Sequence, residues 1–254
     1  MDRMHTGKIA LIIPCHNEEK SIAKVVNGVP RKVLRKLGFE IEIIVVDNCS
    51  TDKTNEVCES LDVTLLYEGK KGKGNAMRTG FDAVSDDTSY VVMIDGDHTY
   101  KTHEIFRLVE PLASGFCDVV IGSRLGGKSA QDAFLFQNRV VNWGFAFLVR
   151  VFYKANITDV LSGYFAWTKE KLDELSPHIE SDGFAIEMEM ITKMVRLGHE
   201  MYSVPITFDV RNGGETKISP FKDGVGILYM FIRNFFWKKD CGRSENLYTD
   251  TVSK

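Results

Sequence analysis

Apolar residues recur along this chain in two ways, as short unbroken runs and as stripes at helical spacing. Residues 8–13 form a continuous apolar run closed by Pro14, which reads as a strand buried on both faces. The stretch 18–37 has helical periodicity, interrupted near Gly28-Val-Pro30, and 41–46 is a second buried strand ending in Asp47. A short helix over 52–61, with Asp52 as its cap, precedes a third strand at 63–66. A helix over 74–84, a strand at 90–94, a helix over 102–113 and a strand at 118–121 follow. This alternation predicts an α/β fold: a mostly parallel twisted sheet with helices on both faces and a nucleotide site at the strand C-termini.

Past Arg124 the pattern changes. Gly126-Gly-Lys-Ser-Ala reads as a flexible loop, and 133–153 as a long aromatic-rich helix. A βαβ-like stretch follows, with a strand at 201–210, a polar Gly-rich turn at 211–217 and an apolar helix near 224–237. Residues 240–254 are polar and expected to fray. Residues 1–217 are thus expected to form one catalytic domain, with a donor half over about 8–124 and an acceptor half over about 125–217. An apolar helix and a polar tail occupy 218–254.

Composition narrows the function classes. With 254 residues, 44% hydrophobic and 26% charged, the chain suits a globular domain with a substantial core, not a disordered or fibrous one. A net charge of −3 argues against a nucleic-acid partner. Cys15, Cys49, Cys58, Cys117 and Cys241 are odd in number and lack metal-site spacing, so they read as free thiols in a reducing compartment. Residues 1–8 carry no signal-peptide core, and no uncharged apolar run reaches the roughly 18–20 residues of a membrane span. A cytoplasmic location is expected.

The candidate chemistry lies just beyond the strands. Tyr90-Val-Val-Met-Ile-Asp95-Gly-Asp97 runs an apolar strand into two aspartates, which aims a hard divalent cation, Mg2+ or Mn2+, out of the sheet edge. Gly96 between them lets a bulky diphosphate approach the backbone. Pro14-Cys-His16-Asn17-Glu18-Glu19 follows the first strand, and Asp47-Asn48-Cys-Ser50-Thr-Asp52-Lys-Thr54 the second. Carboxylates and amides there can bind a ribose and a base edge; taken alone, each loop is better suited to helix capping by Asn17 and Ser50 and a turn closed by Asp47. Lys70-Lys-Gly-Lys73-Gly-Asn75 is a basic loop opening a helix, placed either to face a diphosphate or simply to sit in solvent.

In order and spacing these residues resemble the GT-A glycosyltransferases of family 2, and among them the dolichol-phosphate mannose synthase group of polyprenyl-phosphate sugar transferases. The matching stretches are Pro14-Cys-His-Asn-Glu18, Val45-Val-Asp47-Asn-Cys-Ser-Thr-Asp52-Lys-Thr54, Lys73-Gly-Asn-Ala and Asp95-Gly-Asp97. Gly122-Ser-Arg124, Asp159-Val-Leu-Ser162-Gly163, Gly183-Phe-Ala-Ile-Glu187-Met-Glu189, Val204-Pro-Ile-Thr-Phe and Arg211-Asn-Gly-Gly-Glu-Thr-Lys217 continue the series. The resemblance implies that Pro14, His16, Glu18, Asp47, Lys73, Asp95 and Gly96 bind a nucleoside diphosphate sugar. It implies that Asp95 and Asp97 hold the metal, that Asp97, Arg124, Arg211 and Lys217 serve catalysis as metal and phosphate contacts, and that Asp159, Ser162 and Glu187 shape the acceptor side, though Asp159 suits a capping role equally well. His16 stands where many members have tyrosine, Asn48 where they have a second aspartate, and Thr99 where a glutamine joins the metal shell. A threonine can still reach a metal or its water.

The acceptor follows from chemistry as well. A phosphate monoester is largely ionised at neutral pH and attacks without a base, whereas a hydroxyl needs one. Glu187 and Glu189, two apart on a helix, point in different directions and form no acid–base pair. Seven aromatics in 134–153, and similar content with a basic end in 225–239, suit either packing on the sheet or a partner, or lying in a bilayer interface. The combined expectation is an inverting transfer of sugar to a polyprenyl (dolichyl-type) phosphate at the cytosolic face of a membrane. A hydroxyl acceptor is the nearest rival. A sugar-nucleotide pyrophosphorylase would carry a Gly-rich loop after the first strand, and a non-catalytic nucleotide module would need neither the metal carboxylates nor the distant cations.

Overall fold

A computed structural model describes residues 6–130, 133, 135–211 and 220–239. The strands are β1 (Gly7–Cys15), β2 (Phe39–Asp47), β3 (Thr64–Tyr67), β4 (Thr88–Ile94), β5 (Val119–Ser129), β6 (Tyr164–Thr168) and β7 (Met201–Phe208). They form one seven-stranded sheet in the order β3-β2-β1-β4-β6-β5-β7. β1 runs parallel to β2 and β4, β2 to β3, and β5 to β7, while β6 is antiparallel to both its neighbours.

Alternation along each strand sorts the core into two layers. Ile12, Val46, Met93, Ile121 and Trp167 face one side, packed against α4 (Lys73–Asp82), α6 (Phe136–Tyr153), α7 (Lys169–Leu175), α8 (Ile186–Arg196) and α9 (Pro220–Phe235). Ile13, Val45, Val92, Val120 and Ala166 face the other, against α1 (Ile22–Asn27), α2 (Arg31–Lys36), α3 (Thr54–Glu59) and α5 (Ile105–Ala113). The expected α/β sheet with helices on both faces is therefore present.

Three expectations are corrected. The stretch after α6 is not βαβ-like: β6 runs antiparallel to β5 and β7 parallel to it, so β6 and β7 point opposite ways with β5 between them. The glycine-rich stretch 126–130 is not a free loop: β5 continues to Ser129, and after an irregularity Lys128 and Ser129 pair with Thr207 and Phe208 of β7. Gly127 permits this, because a Cβ there would lie 1.8 Å from the Ile206 carbonyl oxygen. The helix expected over 18–37 is two short ones, parted at Gly28–Pro30 as the sequence suggests.

β1, β2 and β4 end on the same sheet edge; the chain steps outward from β1 through β2 to β3 and then crosses back to place β4 on the other side of β1. That arrangement creates a switch point between β1 and β4, where open α/β sheets take ligands. The loop carrying Asp95 and Asp97 lies there.

Candidate active site

The loops after β1 and β2 are stitched to each other. Asn17 N–H donates to Ser50 Oγ at 2.8 Å, Thr51 N–H to Asn17 Oδ1 at 2.7 Å, and Glu18 N–H to Thr54 Oγ1 at 2.8 Å. Asn17 and Ser50 thus brace opposite loops instead of capping their own helices, which leaves the exposed rim pre-shaped. Asn17, Cys49 and His98 take left-handed φ values of 56°, 60° and 62° in the three loops beyond β1, β2 and β4. Such backbone strain gathers where surrounding contacts fix a functional geometry. His16 Nδ1 lies 2.8 Å from the Asn48 carbonyl oxygen; a carbonyl only accepts, so Nδ1 carries the proton there.

Asp47 is fully buried at the end of β2. One carboxylate oxygen accepts from Ser50 N–H and Asn55 Nδ2, both at 3.3 Å, while Oδ1 has no partner. An orphaned buried acceptor carries a desolvation cost that a ligand donor would offset. Asn48, which stands where the family pattern has a second aspartate, has a structural task here. Its Nδ2 donates to Glu68 O and Lys70 O, and its Oδ1 accepts from Gly72 N–H at 2.6 Å, which pins the basic loop. An aspartate would lack the donor.

The phosphate side is a row of alternating charges. Lys73 Nζ bridges Asp95 Oδ1 and Glu187 Oε1 at 2.6 Å each. Arg211 reaches Glu18 Oε1 at 2.5 Å and Asp97 Oδ2 at 3.4 Å. Burial works against the Lys73 charge, but the two carboxylates outweigh it and raise its pKa. Burial pushes the Glu187 carboxyl above the ordinary range, with Lys73 opposing the shift. The helix end itself is less available than expected. Gly74 and Asn75 N–H donate to the Asp182 carbonyl at 2.8 and 3.3 Å, so the contribution of α4 toward a diphosphate falls on the Lys73 side chain.

Asp95 and Asp97 fit a hard divalent cation. Both are partly exposed oxygen donors, and among the described residues no group of three His, Cys, Asp or Glu forms a protein cage. Mg2+ and Mn2+ use just such sites, completing their shell with phosphate oxygens and water. Gly163 supports this edge: its carbonyl accepts from Asp95 N–H at 3.1 Å, and a Cβ there would lie 1.8 Å from Asp95 Oδ2. Gly96 is equally tight, since a Cβ would meet Cys15 Sγ at 2.7 Å. Thr99 is not aimed outward as a third ligand. It is buried, and its hydroxyl and N–H both donate to Asp97 Oδ1, at 2.6 and 3.0 Å.

Three further residues sit differently from expectation. Arg124 is not the phosphate contact that the resemblance implies; its guanidinium donates through Nε and Nη2 to the two oxygens of buried Asp159, at 2.9 and 2.8 Å. Asp159 also accepts from Arg124 N–H and Asn142 Nδ2, so it is an interior anchor and does not line an acceptor surface. Ser162 is buried, donating to Gly122 O and accepting from Tyr164 N–H. Lys217 lies outside the described residues. A cavity of about 470 Å³ lined by Arg78, Phe81, Lys169 and Asp173 includes none of the donor-loop residues.

Comparison with known proteins agrees with this geometry. The profile described as "Glycosyl transferase family 2" matches residues 10–175. Glycosyltransferase AglJ of Haloferax volcanii is 33% identical over 228 residues, covering 87% of this chain and 70% of that protein. Undecaprenyl-phosphate mannosyltransferase of Micrococcus luteus is 30% identical over 222 residues, covering 84% of this chain and 88% of its own. Glucosyl-3-phosphoglycerate synthase of Mycobacterium tuberculosis, solved with uridine diphosphate, superposes with a TM-score of 0.69 at 21% identity over 90% of this chain and 80% of its own, and so shares the GT-A fold. With the carboxylates, the cation row and the family profile on one sheet edge, the chain belongs to glycosyl transferase family 2.

Proposed function

We propose that the protein transfers a sugar from a nucleoside diphosphate sugar to a polyprenyl (dolichyl-type) phosphate, with inversion at the anomeric carbon. In this reading Asp47 and the loops after β1 and β2 take the nucleoside, while Lys73 and Arg211 face the phosphates. Asp95 and Asp97 hold Mg2+ or Mn2+, which when bound neutralises charge building on the departing diphosphate. An acceptor phosphate oxygen forms the new bond to the anomeric carbon as the carbon–oxygen bond to the nucleoside diphosphate breaks and its electron pair leaves with the diphosphate. No proton moves.

The observation that carries the acceptor is Glu187. Its Oε1 is held by the Lys73 ammonium at 2.6 Å and its side chain is buried, so it offers no open oxygen to a hydroxyl arriving at the site. An acceptor that arrives ionised needs no such base. The name of the Micrococcus luteus relative points the same way. A membrane-facing surface fits the same reading: α6 and α9 pack together through Phe152, Tyr153, Phe231 and Phe235, yet leave Trp143, Phe147 and Tyr229 exposed. Among the described residues no helix is long and apolar enough to cross a membrane. In this reading the exposed aromatic face lies in the interface of the leaflet that presents the lipid phosphate.

A donor-by-acceptor panel tests the reading. GDP-mannose, UDP-glucose and UDP-N-acetylglucosamine are each offered to a short polyprenyl phosphate and to a soluble hydroxyl acceptor, with Mn2+, Mg2+ or EDTA. The expected product is a polyprenyl monophosphate sugar, labile to mild acid and absent with EDTA. Efficient glycosylation of the hydroxyl compound alone would remove the acceptor assignment, and full activity in EDTA the metal.

A further inference from the structure

We infer that Glu189 is a positioning residue for the donor diphosphate, acting through Lys73; this rests on the donor reading above. Glu189 is fully buried on α8 and touches no open surface of the site. Its carboxylate gathers Glu180 N–H at 3.1 and 3.2 Å, Ser181 N–H at 2.7 Å and Lys193 Nζ at 2.7 Å. Lys193 is itself fully buried and also donates to the His178 carbonyl. A charged carboxylate collecting backbone donors is a strong, directional clamp, and here it fixes the strap 178–182.

That strap lies across the first turn of α4. The Asp182 carbonyl receives the N–H groups of Gly74 and Asn75, and Arg78 donates to the Ser181 carbonyl and to Asp182 Oδ1 at 2.6 Å each. The approach is so close that a Cβ on Gly74 would stand 1.9 Å from Ser181 O, and one on Gly72 2.2 Å from Asp182 O. The helix has no side-chain N-cap, so the strap supplies the acceptor its first turn lacks. Lys73 sits within this pinned turn, and its ammonium is held on the far side by Glu187, two residues before Glu189 on α8. One helix therefore sets Lys73 twice. Glu187 holds the charge directly, and Glu189 fixes the backbone from which the side chain extends.

The affinity of GDP and UDP for the full chain, with Mn2+, reads this coupling by titration calorimetry. Glu189→Gln loses the charge clamp and is expected to weaken the better-bound nucleotide about tenfold, as outer-shell changes do. In a Lys73→Met background the same substitution should add less than a twofold loss, since its route to the ligand is gone. Gly74→Ala leaves Glu189 intact, displaces the strap and should reproduce the pattern, which keeps the test valid should Glu189→Gln fold poorly. Wild-type affinity in Glu189→Gln or Gly74→Ala, or an equal loss in the Lys73→Met background, overturns the inference while the donor reading stands. Wild-type affinity in Lys73→Met overturns the inference and removes Lys73 from the donor contacts, while absence of any metal-dependent nucleotide binding by the wild type overturns the donor reading itself.

Discussion

At Gly163 an added methyl would stand 1.8 Å from Asp95 Oδ2, so the carboxylate can keep its orientation only beside a residue with no side chain. Gly163→Ala is expected to turn Asp95 away and cut Mn2+-dependent nucleotide binding and turnover about a hundredfold. Unchanged nucleotide affinity in calorimetry would show that Asp95 is placed by other contacts. Asp52 offers a pH test in the neighbouring loops. Burial disfavours its charge, but donors from Thr54 and Glu19 outweigh that and hold its pKa below the ordinary 3.8. A depressed carboxylate contributes stability that is complete above the unfolded value and lost as pH falls through the folded one. Asp52→Asn should therefore lower the thermal midpoint at neutral pH, by about 1 kcal/mol of stability, and flatten its decline below about pH 4. Parallel acid limbs in the two proteins would argue against this. At this scale the sequence showed which carboxylates end strands, because residue type and strand end are local facts. It could not show that Arg124 spends its guanidinium on Asp159, 35 residues away, or that Thr99 turns back onto Asp97.

Among the elements, α6 and α9 leave several large apolar side chains exposed, among them Val140, Trp143, Phe147, Leu228 and Tyr229. α6 has no acidic residue, and beside its exposed Trp143 and Phe147, stacked at 5.8 Å, it carries an exposed Arg150. That mixture suits an anionic leaflet, with ring faces entering the interface and the guanidinium meeting headgroups. A Trp143→Ser, Phe147→Ser pair is expected to lower binding to vesicles of anionic phospholipid about a hundredfold or more, at about 1.5–3 kcal/mol per side chain, and to leave nucleotide affinity unchanged. Co-sedimentation measures the first and calorimetry the second; undiminished sedimentation would assign the face to something other than lipid. The helices were legible from apolar periodicity. The direction of β6 was not, since Tyr164–Thr168 is buried on both faces and nothing in five apolar-rich residues encodes antiparallel pairing with β4. Nor was the reach of β5, because Gly126-Gly127 resembles a loop until the backbone of β7 is seen against it.

For the whole molecule, the order of strands in the sheet differs from the order of chemistry along the chain. β6, from the later half, is wedged between β4 and β5 of the earlier half, and the Gly163 that supports Asp95 enters with it. Residues 1–124 expressed alone would leave β4 with a bare apolar edge, a template for intermolecular pairing. That fragment is expected to be insoluble, which fractionation after expression would check; a soluble monomer that binds nucleotide would contradict it. Recombination by cutting and joining follows the same logic. A chimaera joined near Arg124, made to exchange acceptor preference between relatives, would import a foreign central strand and a foreign neighbour for the metal carboxylate. New specificities are better sought by grafting the surface loops at the sheet edge, where the seven-stranded frame can be inherited unbroken.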